Sequence, residues 1–442
     1  MGDGIVGEVL AAVEALDASA LDRLLDPLHP ADVADLLEQI DPRDRRALLL
    51  LWRGMDGDIL SELDESLREE VIEGLEPAEL AQAVRDLDSD DVVDLVEDLE
   101  PEAQDAVLDA LSAPDRAAVE KALTYPEGSA GRLMQVEVVR APEHWTVGEA
   151  IDHLRGAPAL PDQFYHVVLV DPRMRPVGYV TLGRILSQPR DARLRDVTED
   201  SFRTFHVGTE GGEVAHAFNK YHLISAPVVD DAGRLAGVVT IDDAMAVLDD
   251  EHEEDILRLA GVGEGALSDS VRETVRARLP WLFVNLLTAG LAALVISRFE
   301  ASIEALVALA VLMPIVASMG GNAGTQSLTV AVRALATRDL TRANAWRVVR
   351  REALVGLANG VGLALVLGAA TALLFASPSL GAVIAAALVV NLLVASLAGT
   401  FVPLLMERAG VDPALASGTF VTTVTDVTGF CAFLGLATWL LL

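Results

Sequence analysis

Asp426 is the one carboxylate that falls deep within an apolar run, FVTTVTDVTGF. An ionisable residue at membrane depth is expensive to keep there and is a functional candidate by default. The same run carries Thr419, Thr422, Thr423, Thr425 and Thr428, and Thr422, Asp426 and Gly429 share one helical face. A small polar face with a carboxylate at its centre reads as the wall of an ion path. The bland reading is a hydroxyl-rich packing face with Asp426 hydrogen-bonded to a neighbour. A second polar string, PIVASMGGNAGTQS (314–327), interrupts another apolar run. Pro314 removes a backbone donor, and Gly320 and Gly321 permit departure from helical geometry. Non-helical backbone survives at membrane depth only against protein or a wet cavity. Freed carbonyls with Asn322 and Gln326 would then supply oxygen ligands; the alternative is a tight helix crossing.

The donor set narrows the ion. Apart from Cys431, near the end of the last apolar run, no Cys or His lines these positions. Softer metals prefer nitrogen and sulfur, whereas carboxylate, amide and carbonyl oxygens suit Mg²⁺, Ca²⁺ or Mn²⁺. Mg²⁺ gives up water reluctantly, so a single carboxylate per chain, doubled by a two-fold axis, suits a hydrated divalent ion. One cysteine also excludes an intrachain disulfide and a thiolate cluster. No nucleophile–base pair, phosphate loop or metalloprotease motif is present, which argues against an enzyme.

The elements that must position these groups follow from charge and hydropathy. Residues 1–128 carry a net charge of −26, residues 129–269 carry −11, and residues 270–442 carry +3, together the −34 of the whole chain. So acidic a front end repels phosphate and argues against nucleic acid; it suits cation collection, or simple solubility. Five apolar stretches, near 279–298, 303–326, 353–376, 380–405 and 416–441, are each able to cross a bilayer, which takes about 20 residues. Arg333, Arg338, Arg342, Arg347, Arg350 and Arg351 crowd the loop between the second and third, and Arg272, Arg276 and Arg278 precede the first. Both segments are expected on the cytoplasmic side, which puts the N-terminal domains inside and the C-terminus outside. The start, MGDGIVGEVL, lacks the basic region and long apolar core of a signal peptide.

Two repeats organise the acidic portion. Residues 20–123 repeat at about twelve residues, marked by HPAD (29–32), DPRD (41–44), EPAE (76–79), DSDD (88–91), EPEA (100–103) and APDR (113–116). A cap-competent or acidic residue, often followed by Pro, opens each apolar run, so the expected domain over 1–128 is a superhelical stack of short α-helices. Next, HVVLVDPRMRPVGYVTLGRIL (166–186) matches SAPVVDDAGRLAGVVTIDDAM (225–245). Each copy reads as helix, strand, turn, strand, helix, and the pair resembles tandem α/β CBS domains over 129–240. That family often binds adenine nucleotides, with ribose contacted by T-x-x-D. The second copy has Thr240 and Asp243; the first has Arg184 in the corresponding place. An acidic connecting helix follows over 241–265, with Asp242, Asp243, Asp249, Asp250, Glu251, Glu253, Glu254 and Asp255. Like charges at i, i+4 repel, and cations relieve them; the plain alternative is a solvated acidic face.

The whole order, namely acidic helical repeat, CBS pair, acidic helix and five spans in residues 270–442, resembles the MgtE family of magnesium channels and transporters. So do the strings YPEGSAGRLM (125–134), PIVASMGGNAGTQS (314–327), RALATRDL (333–340) and GVDPALASGTFVTTVTDVTGF (410–430). The resemblance implies a homodimer in the plasma (inner) membrane, contacting lipid, with no obligate protein partner. Asp426 then holds a hydrated Mg²⁺ in a central pore, with Asn322, Gln326 and Thr422 as further pore residues and Asp412 at the cytoplasmic mouth. Cytosolic Mg²⁺ bridges carboxylates and shuts the pore. The implied positions are Asp243, Asp249, Asp250, Glu251, Glu254 and Asp255 on the connecting helix, Glu213 in the CBS pair, and Asp86, Asp90 and Asp91 in the helical repeat. Mg²⁺ is thus both cargo and regulator, with ATP implied at the CBS pair. Ala246 and His222 stand where relatives can carry acids. Two alternatives stay open: an ion-coupled secondary divalent-cation transporter, and a membrane-bound nucleotide or Mg²⁺ sensor without transport.

Overall fold

The structure is a computed structural model that describes residues 3–85, 87–97, 99–157, 160–161, 164–259, 271–337, 339–341 and 343–442. It divides into two compact units, Met1–Glu251 and His252–Leu442.

The first unit opens with short helices: α1 (Asp3–Glu14), α2 (Ala18–Leu25), α3 (Pro30–Gln39), α4 (Pro42–Leu51), α5 (Gly57–Ser61), α6 (Glu65–Gly74), α7 (Pro77–Ala83), α8 (Ser89–Glu97), α9 (Pro101–Ala110) and α10 (Ala113–Ala122). Starts at 18, 30 and 42, and again at 65, 77, 89, 101 and 113, keep the twelve-residue period; α5 is out of step. The shift has a local cause, since Trp52 is buried just before α5 and its indole N–H donates to Asp26 at 3.3 Å. Pro30, Pro42, Pro77 and Pro101 each occupy the first helical position, where a missing N–H is harmless. The fourth helical position recurs as a polar tie. Arg45 donates to the carbonyls of Leu37 (2.8 Å) and Ile40 (3.2 Å). Arg68 does the same to Leu63 (2.9 Å), and Gln104 to Val96 (3.2 Å). These bonds satisfy carbonyls left open where an earlier helix ends. Leu21, Leu36, Leu48, Leu60 and Leu95 form the continuous core of the stack.

Two three-stranded sheets follow. One is β1 (Arg140–Pro142), β2 (His166–Val170) and β3 (Pro176–Thr181), with α11 (Val147–Gly156) and α12 (Leu182–Ser187). The other is β4 (Phe205–His206), β5 (Ser225–Val229) and β6 (Leu235–Thr240), with α13 (Gly211–Tyr221) and α14 (Ile241–Leu259). In both, the first pair is parallel and the second antiparallel. The copies meet at equivalent residues: His166 Nδ1 lies 2.5 Å from Ser225 Oγ. Burial holds the His166 imidazole below its usual pKa, so it serves as a neutral hydrogen-bonding group.

The second unit is helical: the end of α14, then α15 (Val271–Ser297), α16 (Glu300–Ala305), α17 (Ala308–Ala336), α18 (Ala345–Leu374), α19 (Pro378–Ala409) and α20 (Pro413–Leu441). Among the described residues, five helices are long and apolar enough to cross a membrane: Thr274–Ser297 of α15, all of α17, α18 and α19, and Gly418–Leu441 of α20. α19 packs against α17, α18 and α20, while α15 packs on α20. Leu312, Val316, Ile384, Ala387, Phe433 and Leu434 are shared between α17, α19 and α20.

One expectation is corrected here. α17 runs as a single α-helix through Pro314, Gly320 and Gly321, so the string 314–327 does not leave helical geometry. Pro314 comes in the second turn, where it removes one backbone bond, and the chain tolerates it. Gly320 and Gly324 are buried packing positions in α17, in keeping with the tight-crossing alternative.

Candidate functional site

The first cluster lies in the first unit, where α8 meets the start of α14. A strap before β1 sets the place. Ser89 Oγ donates to Glu137 at 2.8 Å and accepts from the Val136 N–H at 2.8 Å, and Gln135 donates to Asp88 at 3.2 Å. Gln135 also bridges to Val238 of β6, and Arg132 pairs with Glu97 at 3.1 Å. These contacts hold the first turn of α8, with Asp90 and Asp91, against the end of the second sheet, where α14 begins.

Asp243 is fixed by that beginning. Thr240 Oγ1 donates to Asp243 at 2.5 Å, and the Thr240 N–H donates to it at 3.3 Å. T-x-x-D thus acts here as a helix-capping pair. Asp90 and Asp91 face the charge of Asp243, with Asp88, Asp94 and Asp242 close enough to add to it. Burial, followed by repulsion from Asp243, holds the Asp90 carboxyl well above the usual range. The same two causes push Asp91 up to about 7. Burial pushes Asp243 up to about 6, against the Thr240 hydrogen bond. Among the described residues no three His, Cys, Asp or Glu side chains converge closely enough to grip a bare metal ion. What the arrangement offers is a negative field between two helix starts, suited to a cation that keeps its water.

The remaining positions on α14 divide. Glu251 brings its carboxylate against Gly212 in the first turn of α13, beside Glu213, and a side chain at Gly212 would collide with it. Asp249 and Asp250 are exposed. Glu254 pairs with Arg258 at 2.7 Å. Asp86 lies outside the described residues, as does the side chain of Asp255.

The second cluster lies in the helical unit. Asp412 caps α20, accepting the Ala414 N–H at 2.8 Å, with Pro413 at the first helical position. Its other oxygen accepts from Arg258 Nη1 at 3.0 Å. Next to that pair, Leu259 packs with Leu328, Val332, Ala414 and Val421. The end of α14 is therefore docked by one arginine and one leucine on the first part of α20 and the later part of α17. Asp426 stands half-buried in mid-helix, and among the described residues it has neither a hydrogen-bond nor an ion-pair partner. The threonines around it turn their hydroxyl hydrogens to their own helix: Thr422 to Gly418 (2.9 Å), Thr423 to Thr419 (2.7 Å) and Thr425 to Thr422 (2.9 Å). Their oxygens keep lone pairs for another partner. On α17, Asn322 and Gln326 are exposed on the single chain, with Asn322 donating to Ser318 at 3.5 Å.

Three residues were not singled out from sequence. Arg258 is 154 residues from its partner Asp412, beyond any local pattern. Glu352 is buried in α18 and accepts from Ser327 Oγ at 3.2 Å; α18 begins at Ala345, so this carboxylate falls inside a helix rather than in the arginine-rich loop. Asn391 is wholly buried in α19. Its signal in the sequence is a lone amide in the apolar run AALVVNLLVAS.

Comparison with known proteins adds the following. Residues 28–128 match the MgtE intracellular N domain, residues 130–191 and 194–250 match the CBS domain, and residues 313–436 match the MgtE divalent cation transporter model. The chain is similar to the magnesium transporter MgtE of Thermus thermophilus, 37% identical over 432 residues, spanning 92% of this chain and 94% of that one. It is also similar to the protein of the same name from Enterococcus faecalis, 34% identical over 319 residues, spanning 72% and 70%. The Bacillus subtilis magnesium transporter MgtE is 28% identical over 419 residues, spanning 94% and 92%. Among solved structures, the cytosolic domain of the Mg²⁺ channel MgtE in complex with ATP is 28% identical. It covers 55% of this chain and 99% of that chain, with a TM-score of 0.51.

Proposed function

The chain belongs to the MgtE family of divalent cation transporters, and from that premise we propose that it carries Mg²⁺ into the cell through a pore shut by cytosolic Mg²⁺. The reading is that of a multi-pass membrane transporter with cytosolic N-terminal domains, working as a homodimer. The observation that carries it is Asp426: a half-buried carboxylate in mid-span, among threonines, with no protein partner among the described residues. A carboxylate retained at that depth without a counter-ion is explained by the ion it serves. Two copies facing across a two-fold axis would hold one hydrated Mg²⁺, which keeps its inner waters and is gripped through them. Asn322, Gln326 and the Thr422 oxygen would accept from that water shell. The membrane potential alone drives entry, at about 2.3 kcal/mol per charge per 100 mV.

Closure is assigned to the acidic clusters. Asp90, Asp91 and Asp243 repel one another when no cation is present. A hydrated Mg²⁺ between α8 and α14 relieves that repulsion and favours the packed arrangement, shifting the population towards it. Glu213 of α13 and Asp249, Asp250, Glu251 and Glu254 of α14 add to the acidic field, and Asp255 is proposed with them. At the far end of α14, Arg258 supplies a fixed positive charge between Glu254 and Asp412. ATP at the CBS pair is a further expectation, supported by the ATP complex of the similar cytosolic domain.

A second reading draws on Glu352. A second carboxylate buried in a candidate span, held by Ser327 alone among the described residues, is the kind of group that could carry a proton in coupled transport. One experiment separates the two. Purified protein in liposomes is given a Mg²⁺ gradient with an imposed potential, or with an imposed pH gradient. Potential-driven flux that disappears in Asp426→Ala supports the pore. Flux that follows the pH gradient, ignores potential and disappears in Glu352→Gln replaces it with proton coupling.

A further inference from the structure

Asn391 is the point where three spans meet. It belongs to α19 and is 0% exposed. Its Nδ2 donates to the carbonyl of Val316, on α17, at 2.9 Å. The amide plane then lies against two glycines from the two polar strings. A side-chain carbon at Gly320 of α17 would collide with the amide nitrogen. One at Gly429 of α20 would come within 2.8 Å of that nitrogen and 3.2 Å of the oxygen. Gly429 follows Asp426 by three residues, so the two share a face of α20 and lie one turn apart. In this packing the amide oxygen, Oδ1, is buried and accepts no hydrogen bond from any of the described residues.

That last fact is the informative one. A buried acceptor left unmade destabilises a packed state by about 1–3 kcal/mol, and more where no water can reach. Native structures rarely leave such a group without a reason. Val316 is one turn before Gly320, so its carbonyl already serves the helix and gains little from the extra donor. Leucine, which has the same branching and the same number of side-chain heavy atoms but no polar atoms, would occupy the same site with larger end groups and remove the unmet acceptor. An asparagine is a poor choice if the only task is to pack α17, α19 and α20 in this arrangement. It is a good choice if the helices must also part.

We propose that Asn391 is a positioning residue of the ion path: its amide registers α17 against α20 one turn from Asp426, and its unmet oxygen is satisfied only when those helices separate and water of the path, or of the hydrated ion, reaches it. The residue therefore works against permanent closure, by keeping the packed arrangement less stable than an apolar side chain would. This rests on the transport reading above, but its sign is its own.

The test compares the wild type with Asn391→Leu and Asn391→Ala. Each full-length protein is assayed for thermal unfolding in detergent and for potential-driven Mg²⁺ flux in liposomes at low cytosolic-side Mg²⁺. Asn391→Leu is expected to assemble as the wild type does, with Tm unchanged or raised by a few degrees and flux reduced tenfold or more. Asn391→Ala opens a cavity that water can enter, so its Tm is expected to fall while it keeps more flux than the leucine variant. A leucine variant that misassembles or unfolds earlier than wild type overturns the proposal, because Asn391 then serves packing alone. So does one with wild-type flux. If the wild type itself moves no Mg²⁺, the transport reading fails, and the Tm of the leucine variant still decides whether the unmet oxygen weakens the packed state.

Discussion

The acidic cluster between α8 and α14 and the lone carboxylate of α20 answer the same problem in opposite ways. Asp90, Asp91 and Asp243 crowd together with Asp88, Asp94 and Asp242, so that burial and mutual repulsion hold the first three above the usual carboxylate range. Asp426 stands by itself in an apolar helix, ringed by hydroxyls committed to their own backbone. Carboxylates that share one field can be removed one at a time, each loss weakening the field in part. Removing a solitary carboxylate removes its site altogether. In the proposed function, sensing falls to the first region and passage to the second.

The largest effect belongs to the solitary residue. Asp426→Asn is expected to lower Mg²⁺ flux in liposomes by about 100-fold or more, close to 3 kcal/mol of lost stabilisation, while its elution in detergent matches wild type. Next comes the pair Asp91→Asn with Asp243→Asn. Removing two of the facing charges relieves the metal-free repulsion and weakens the cation site together. The ratio of flux at low to flux at millimolar cytosolic-side Mg²⁺ is expected to collapse towards one. A ratio equal to wild type would place sensing elsewhere.

A pH series comes third. Raised carboxyls bind protons more readily in the packed arrangement than when α8 and α14 are apart. The packed arrangement is therefore favoured at low pH and loses that advantage as pH rises towards about 7, where Asp91 titrates. Metal-free protein should resist proteolysis in its first 259 residues better at pH 5 than at pH 8. Added Mg²⁺ should protect more at pH 8, where there is charge to neutralise. The smallest effect is expected at Thr422. Its hydroxyl hydrogen is already given to Gly418, so Thr422→Val should change flux by no more than about threefold, the loss of one weak acceptor.

The sequence was most readable where physics is local. The twelve-residue period survives in α2–α4 and α6–α10, where Asp17 caps α2 and a proline opens α3, α4, α7, α9 and α10. Asp426 stood out because a carboxylate in an apolar run has no cheap explanation. What stayed hidden needs the crossing of helices to be known. The glycines of 314–327 suggested a broken helix, yet α17 is unbroken and Gly320 receives the amide of Asn391. Sequence gives no sign that Asp412, which the resemblance puts at a pore mouth, also caps α20 and binds Arg258, 154 residues earlier. Glu352 falls just before the expected third span, near 353–376, because the charge run around it masks the start of α18 at Ala345.

The central claim is that one molecule both passes Mg²⁺ and is shut by it. Its most direct test is potential-driven Mg²⁺ flux through the purified wild type in liposomes, measured with low and then with millimolar Mg²⁺ on the side of the acidic domains. The account predicts flux in the first condition and its loss in the second; equal flux in both would contradict the sensing half, and none in either the transport itself.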